Sequence, residues 1–143
     1  MTLPTHAPIP ELYVSYESAQ KLKAEAGDLP SWDLTPRQIC DLELLMNGGF
    51  HPLKGFLTEA DYDSVVDTMR LTSGALWPMP VTLDVSAAFA EGVEPGQDIA
   101  LRDQEGVILA ILSVTDKWTP DKSREAEQVF GADDLAHPAV NYL

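Results

Sequence analysis

One stretch of this chain concentrates residue types that could do chemistry, Gly48-Gly49-Phe50-His51-Pro52-Leu53-Lys54-Gly55-Phe56. It sets an imidazole and a primary amine in a glycine-rich loop, and the backbone N–H groups of such loops can cradle a phosphate. A phosphate-binding loop of the P-loop type needs Lys and then Ser or Thr directly after its second glycine. Here Gly55 is followed by Phe56. The spacing fits a structural role better. The glycines end a helix, Pro52 stiffens the exit, and Phe50, Leu53 and Phe56 anchor the loop to a core.

The other reactive residue types are scattered. His6, His51 and His137 are far apart and lack metal-ligand spacing. Asp61 with Asp63, and Asp133 with Asp134, are the closest carboxylate pairs. Acid–base work requires two environments that split the pKa values of such a pair, whereas caps and turns need only a carboxylate oxygen. Cys40, the single cysteine, lies one position from an apolar stripe and reads as a small buried or half-buried residue. No catalytic, cofactor-binding or metal-ligating residue is assigned from these positions.

The elements that would position these residues are legible in part. Pro4, Pro8 and Pro10 break the start of the chain, and Leu12-Tyr13-Val14 reads as a short strand. Ser15 opens a helical pattern through Tyr16, Ala19, Leu22 and Ala26 that Gly27 closes. Thr35-Pro36-Arg37-Gln38 is a capping box with proline at the first helical position. Leu34 and Ile39 stand where a hydrophobic staple would close, and Ile39, Leu42, Leu45 and Met46 form the apolar face. Asn47-Gly48-Gly49 ends that helix. Thr58 caps a second helix, with Asp61 three residues later, Leu57 and Tyr62 as staple, and Tyr62, Val65, Val66 and Met69 as stripe.

After Trp77-Pro78 the apolar period changes to two, and Val81, Leu83 and Val85 read as a half-buried strand. Pro95-Gly96 is a turn. Ile99 and Leu101 belong to one strand and Val107–Val114 to another, joined by the reversal Asp103–Gly106. A last helix is predicted over 121–130, with Gly131 past its end. Helices, then strands, then a helix make an α+β domain rather than a wound βαβ sheet.

Composition narrows the class. The chain has 143 residues, of which 45% are hydrophobic, enough for one packed domain. With 23 acidic against 9 basic residues the formal charge is −14. Nucleic acids and anionic membranes bind through clustered Lys and Arg. The densest basic spot, Lys21-Leu22-Lys23, is flanked by Glu17 and Glu25. Neither partner is expected. No apolar run approaches the ~20 residues that cross a bilayer, and the first residues lack a basic stretch followed by an apolar one. The expectation is a cytoplasmic protein, which the lone thiol also fits.

From Leu29 to Leu143 the chain resembles the N-terminal domain of the ATP sulfurylases. The likeness is densest in Leu34-Thr35-Pro36-Arg37-Gln38-Ile39-Cys40-Asp41-Leu42-Glu43-Leu44-Leu45-Met46-Asn47-Gly48-Gly49-Phe50. It continues through Pro52–Phe56, Asp61-Tyr62, Met69-Arg70-Leu71, Leu76–Val85, Leu101-Arg102-Asp103, Pro120-Asp121-Lys122, Glu125-Ala126-Glu127, Val129-Phe130-Gly131 and His137–Val140. Residues 1–28 match loosely. His51 departs from the serine usual in that family after Gly-Gly-Phe.

The resemblance implies a PUA-like β-barrel with packed helices over 29–143. It also implies a parent enzyme that joins ATP and sulfate into adenylyl sulfate and pyrophosphate, with magnesium accompanying the nucleotide. The family's Gln-x-Arg-Asn-Pro run, paired histidines and Gly-Arg-Asp loop do not occur in these residues. They are expected in a catalytic domain after Leu143, so this chain alone is expected to be inactive. The implied partner is that catalytic domain, in a homo-oligomeric parent. The wording of Asp116–Lys122 is closer to sulfurylases fused to an adenylylsulfate kinase. PUA-like folds also include RNA-binding modules, a second reading that the acidity opposes. A small enzyme using His51 and Lys54 on a phosphorylated ligand is a third, and it lacks a nucleophile–base pair.

Overall fold

The computed structural model describes residues 9–143. In chain order they form helix α1 (Tyr16–Glu25), a 3-10 turn (Ala26–Asp28), strand β1 (Ser31–Asp33), and helices α2 (Pro36–Met46), α3 (Glu59–Thr68) and α4 (Ala87–Glu91). Strands β2 (Asp98–Arg102) and β3 (Ile108–Ser113) follow. Helix α5 (Lys122–Glu125) runs into a π-helical turn (Ala126–Phe130), and α6 (Pro138–Tyr142) comes last. The architecture is α+β, as the order of elements predicts.

Two compact units divide the chain. The first takes residues up to Gly55 together with Asp98–Ser113, and the second takes Phe56–Gln97 with Val114–Leu143.

In the first unit the sheet has the order β1-β2-β3. The predicted hairpin is present: β2 and β3 are antiparallel, Asp98 opposite Ser113 and Leu101 opposite Ala110, with an irregularity between Leu101 and Arg102. Strand β1 is an addition the sequence did not announce. It pairs with β2 in parallel, Trp32 opposite Leu101, so the sheet is not built solely from the strands read after Trp77-Pro78. Leu34, Gln38, Leu42, Leu45, Ile99, Ala100 and Leu101 are buried in this unit. The capping box of α2 forms as read. Thr35 Oγ1 accepts the Gln38 N–H at 3.3 Å, and Gln38 Oε1 accepts the Thr35 N–H at 3.0 Å. Gln38 Oε1 also accepts the Trp32 indole N–H at 3.3 Å, tying β1 to α2.

The strand read at Leu12–Val14 is absent; those residues are exposed, and the Leu12 N–H donates to the Met46 carbonyl at 2.8 Å. Ser15 caps α1 as expected, but no residue of α1 is buried and Tyr16 stands out in solvent. Gly27 does not close the helix by itself, since a 3-10 turn continues through Asp28.

The second unit buries Leu57, Tyr62, Val65, Val66, Leu71, Val81, Val93, Ala126 and Val140. Thr58 caps α3, but Asp61 does not close a box. Its Oδ1 accepts the Thr72 N–H and hydroxyl instead, at 2.9 and 2.7 Å. Met69 is not part of the buried stripe; it leaves the helix in the left-handed region, φ 57°, and is exposed. Val81–Val85 makes no strand ladder, although Val81 is buried and its carbonyl accepts the Leu57 N–H at 2.9 Å. The last predicted helix is split, α5 giving way to the π turn that ends at Gly131. Two loops, one in each unit, are closed the same way. Arg70 donates to the Gly74 carbonyl and Arg102 to the Gly106 carbonyl, both at 3.0 Å.

Removing the Thr35 hydroxyl deletes one cap bond, whereas truncating Gln38 deletes two part-buried bonds and vacates a buried position. Thr35→Ala should therefore cost about 1 kcal/mol, and Gln38→Ala about 2–4 kcal/mol from two lost hydrogen bonds and the vacated buried volume. Urea titrations with unchanged slope check the order, and equal losses would contradict it.

Candidate functional site

The loop after α2 begins at its C-terminus. Asn47 caps the helix by donating its N–H to the Glu43 carbonyl, and its Oδ1 accepts the Gly49 N–H at 2.8 Å. Gly48 is buried with φ 84°. A Cβ there would lie 2.5 Å from Ile9 Cγ2 and 3.0 Å from the Pro10 carbonyl oxygen. A Cβ at Gly49 would meet Leu44 Cδ2 at 2.8 Å. Gly48 is thus explained by the close passage of residues 9–10, and Gly49 by crowding from the end of its own helix.

The loop's donors are also committed. The Phe50 N–H goes to the Leu44 carbonyl at 3.0 Å, that of His51 to Gly48 at 3.0 Å, and that of Leu53 to Phe50 at 2.8 Å. With Gly49 bonded to Asn47, four successive candidates for holding a phosphate already have protein acceptors. Phe50, Leu53 and Phe56 are half-buried, as anchors should be, and His51 and Lys54 are exposed. The arrangement supports the structural role of this loop.

The remaining reactive residues take local tasks. His137 Nδ1 accepts the Ala139 N–H at 3.2 Å, capping α6, and its ring lies 5.8 Å from Phe130. Asp134 accepts the Ala136 N–H at 2.9 Å in the turn before it. Asp61 holds Thr72, and Asp63 pairs with Arg124, so these two neighbours serve different partners. Cys40 is exposed, contrary to the half-buried expectation. His6 lies outside the described residues. Among the described residues no group of three or more His, Cys, Asp or Glu is placed to hold a metal ion.

The densest polar cluster of the second unit was not read from sequence. The Tyr62 hydroxyl donates to Glu125 Oε2 at 2.5 Å, and both residues are buried. Burial first, then the bond to Glu125 and its charge, hold the Tyr62 hydroxyl well above the ordinary tyrosine range. Trp118 leans on the Tyr62 ring, centroids 5.6 Å apart. Next to it, Arg124 donates to Asp63 at 2.8 Å and to Asp67 at 2.5 Å, bonds that hold the guanidinium more firmly protonated. Tyr62 is visible in sequence as a stripe residue, but its partner 63 positions away is not.

A family model described as PUA-like domain matches residues 2–143. A sulfate adenylyltransferase of Eremothecium gossypii is 52% identical over 127 residues, 89% of this chain and 25% of the relative. One from Schizosaccharomyces pombe is 50% identical over 126 residues, 87% of this chain and 26% of the relative. The chain thus spans about a quarter of the length of these relatives. A solved structure titled hexameric APS kinase from Thiobacillus denitrificans superposes with TM-score 0.70 at 42% identity, covering 78% of this chain and 22% of that one.

Gly48→Ala should lose about 1–3 kcal/mol through backbone strain and the Ile9 clash, while His51→Ala and Lys54→Ala stay within about 0.5 kcal/mol; thermal melts compare all three. Raising the pH above the unfolded tyrosine pKa of about 10 deprotonates Tyr62 in the unfolded state before the folded one. Stability from this group is present below that pH and falls as pH rises further. Urea unfolding between neutral and alkaline pH should show a decline that is shallower in Tyr62→Phe. An identical slope in both proteins would contradict the shift.

Proposed function

The chain belongs to the PUA-like domain family, and from that premise we propose that it is the N-terminal, non-catalytic domain of a sulfate adenylyltransferase. The observation that carries the reading is identity of about one half to proteins of that name over nearly the whole chain. The loop geometry supports it, because the most site-like stretch spends its donors on the fold.

The parent's reaction, formation of adenylyl sulfate and pyrophosphate from ATP and sulfate with magnesium, is assigned to a catalytic domain elsewhere in the same parent chain. Its transition state gathers charge at the α-phosphate, which needs several converging donors. This domain's part would be to pack against the catalytic domain. The hexameric title of the solved neighbour supports an oligomeric parent, and its naming as an APS kinase supports the kinase-fused type. Closure of the sheet into the family's barrel, and a cytoplasmic location, belong to the same reading. On location the described residues say only that no helix is long and apolar enough to cross a membrane.

Pyrophosphate-dependent ATP formation from adenylyl sulfate, with magnesium, tests the assignment. The purified chain should stay at the level of a heat-killed control, and the parent extended through its catalytic domain should turn over. Removing one oxyanion-type donor typically costs about 100- to 1000-fold, so loss of the whole set leaves nothing to detect. Reproducible turnover by the chain alone would overturn the reading.

A further inference from the structure

In the second unit, residues 116–130 lie along α3 as a strap tied at separate points. Asp116 Oδ2 accepts the Glu59 N–H at 2.9 Å at the start of α3. Trp118 lies tilted against Tyr62, Glu125 accepts the Tyr62 hydroxyl, and Arg124 reaches Asp63 and Asp67. Away from α3, Lys117 Nζ donates to the Ala90 and Val93 carbonyls and to Glu94 at 3.0, 2.9 and 3.1 Å, and Lys122 lies 3.4 Å from Asp84. The strap has little regular structure of its own, four residues of α5 and one π-helical turn. A helix this short does not stand alone in water.

Three features make its closed state conditional. Glu125 is the buried acid of the described residues, and a buried carboxylate is tolerated only while it is hydrogen-bonded. The Arg124 and Lys122 pairs are part-exposed and therefore weak and salt-screened. The Trp118 Nε1–H is buried without a hydrogen-bond partner, so closing strands a donor that opening returns to water. Segments held by few exposed bonds are the ones that open below the global unfolding limit.

We propose that residues 116–130 release from α3 as one unit while the rest of the chain stays folded, and that the Tyr62–Glu125 hydrogen bond is the latch. If the reading above is right, the strap stands between this domain's sheet and the catalytic domain in chain order, and its opening loosens that connection. The opening itself does not depend on that reading.

Hydrogen exchange followed by mass spectrometry on the 143-residue chain tests it. Amides of 122–130 should exchange at least 10-fold faster than those of 98–102 and 108–113, and raising the salt should widen the gap. Glu125→Ala should speed the strap by a further factor of 10 or more without touching the sheet. Glu125→Gln, which still accepts from the Tyr62 hydroxyl, should leave it closed. If Glu125→Ala does not fold, Tyr62→Phe removes the same bond. Strap and sheet accelerating together, or Gln opening the strap as far as Ala, would overturn the proposal.

Discussion

A single side-chain oxygen, Gln38 Oε1, takes hydrogen bonds from the Thr35 backbone and the Trp32 indole. The first donor starts α2 and the second ties down β1, so the parallel edge of the sheet and helix α2 share one amide. Gln38 is among the most deeply buried side chains of the molecule. An amide in that position is tolerated because its acceptor is fully used. The strand it holds is only three residues long, and three ladder positions alone would not secure it.

What the sequence made legible follows from range. Caps at Ser15, Thr35 and Thr58 are written within three residues of the bonds they make, and all three form. The β2–β3 hairpin is local too. Strand β1 was invisible because its partner is remote and its own pattern, Ser31-Trp32-Asp33, is too short to carry a period. Alternation at Val81–Val85 is a pattern of the sequence alone, since Val81 is buried, the next four residues are all half-buried, and the segment joins no ladder. Helix α4 follows directly on that segment and is capped by Ser86. Helix α6 escaped because a histidine caps it, although Pro138 at its first position was a usable sign.

The candidate site shows the same division. Its glycines were read as helix-ending, and the close approach of Ile9 to Gly48 supplies a reason that no local pattern contains. Two aspartates two residues apart, Asp61 and Asp63, divide between a loop and a distant arginine. Adjacent carboxylates in an acidic chain need not share an environment. The Tyr62–Glu125 bond, the most consequential polar contact of the second unit, joins residues that no spacing rule relates.

The arginine-closed loops carry a different implication. Each runs from an arginine to a glycine four positions on, and the guanidinium grips the last carbonyl of its own loop. Such a corner is self-contained, since both ends of the clasp travel with the segment. Side chains between them, Leu71-Thr72-Ser73 in one and Asp103-Gln104-Glu105 in the other, differ completely. Length is what the clasp fixes. Across descendants of this sequence, the spacing from arginine to glycine is what the clasp holds, and an insertion or deletion between them would unfasten the corner, while Leu71, Thr72 and Asp103 answer to contacts of their own.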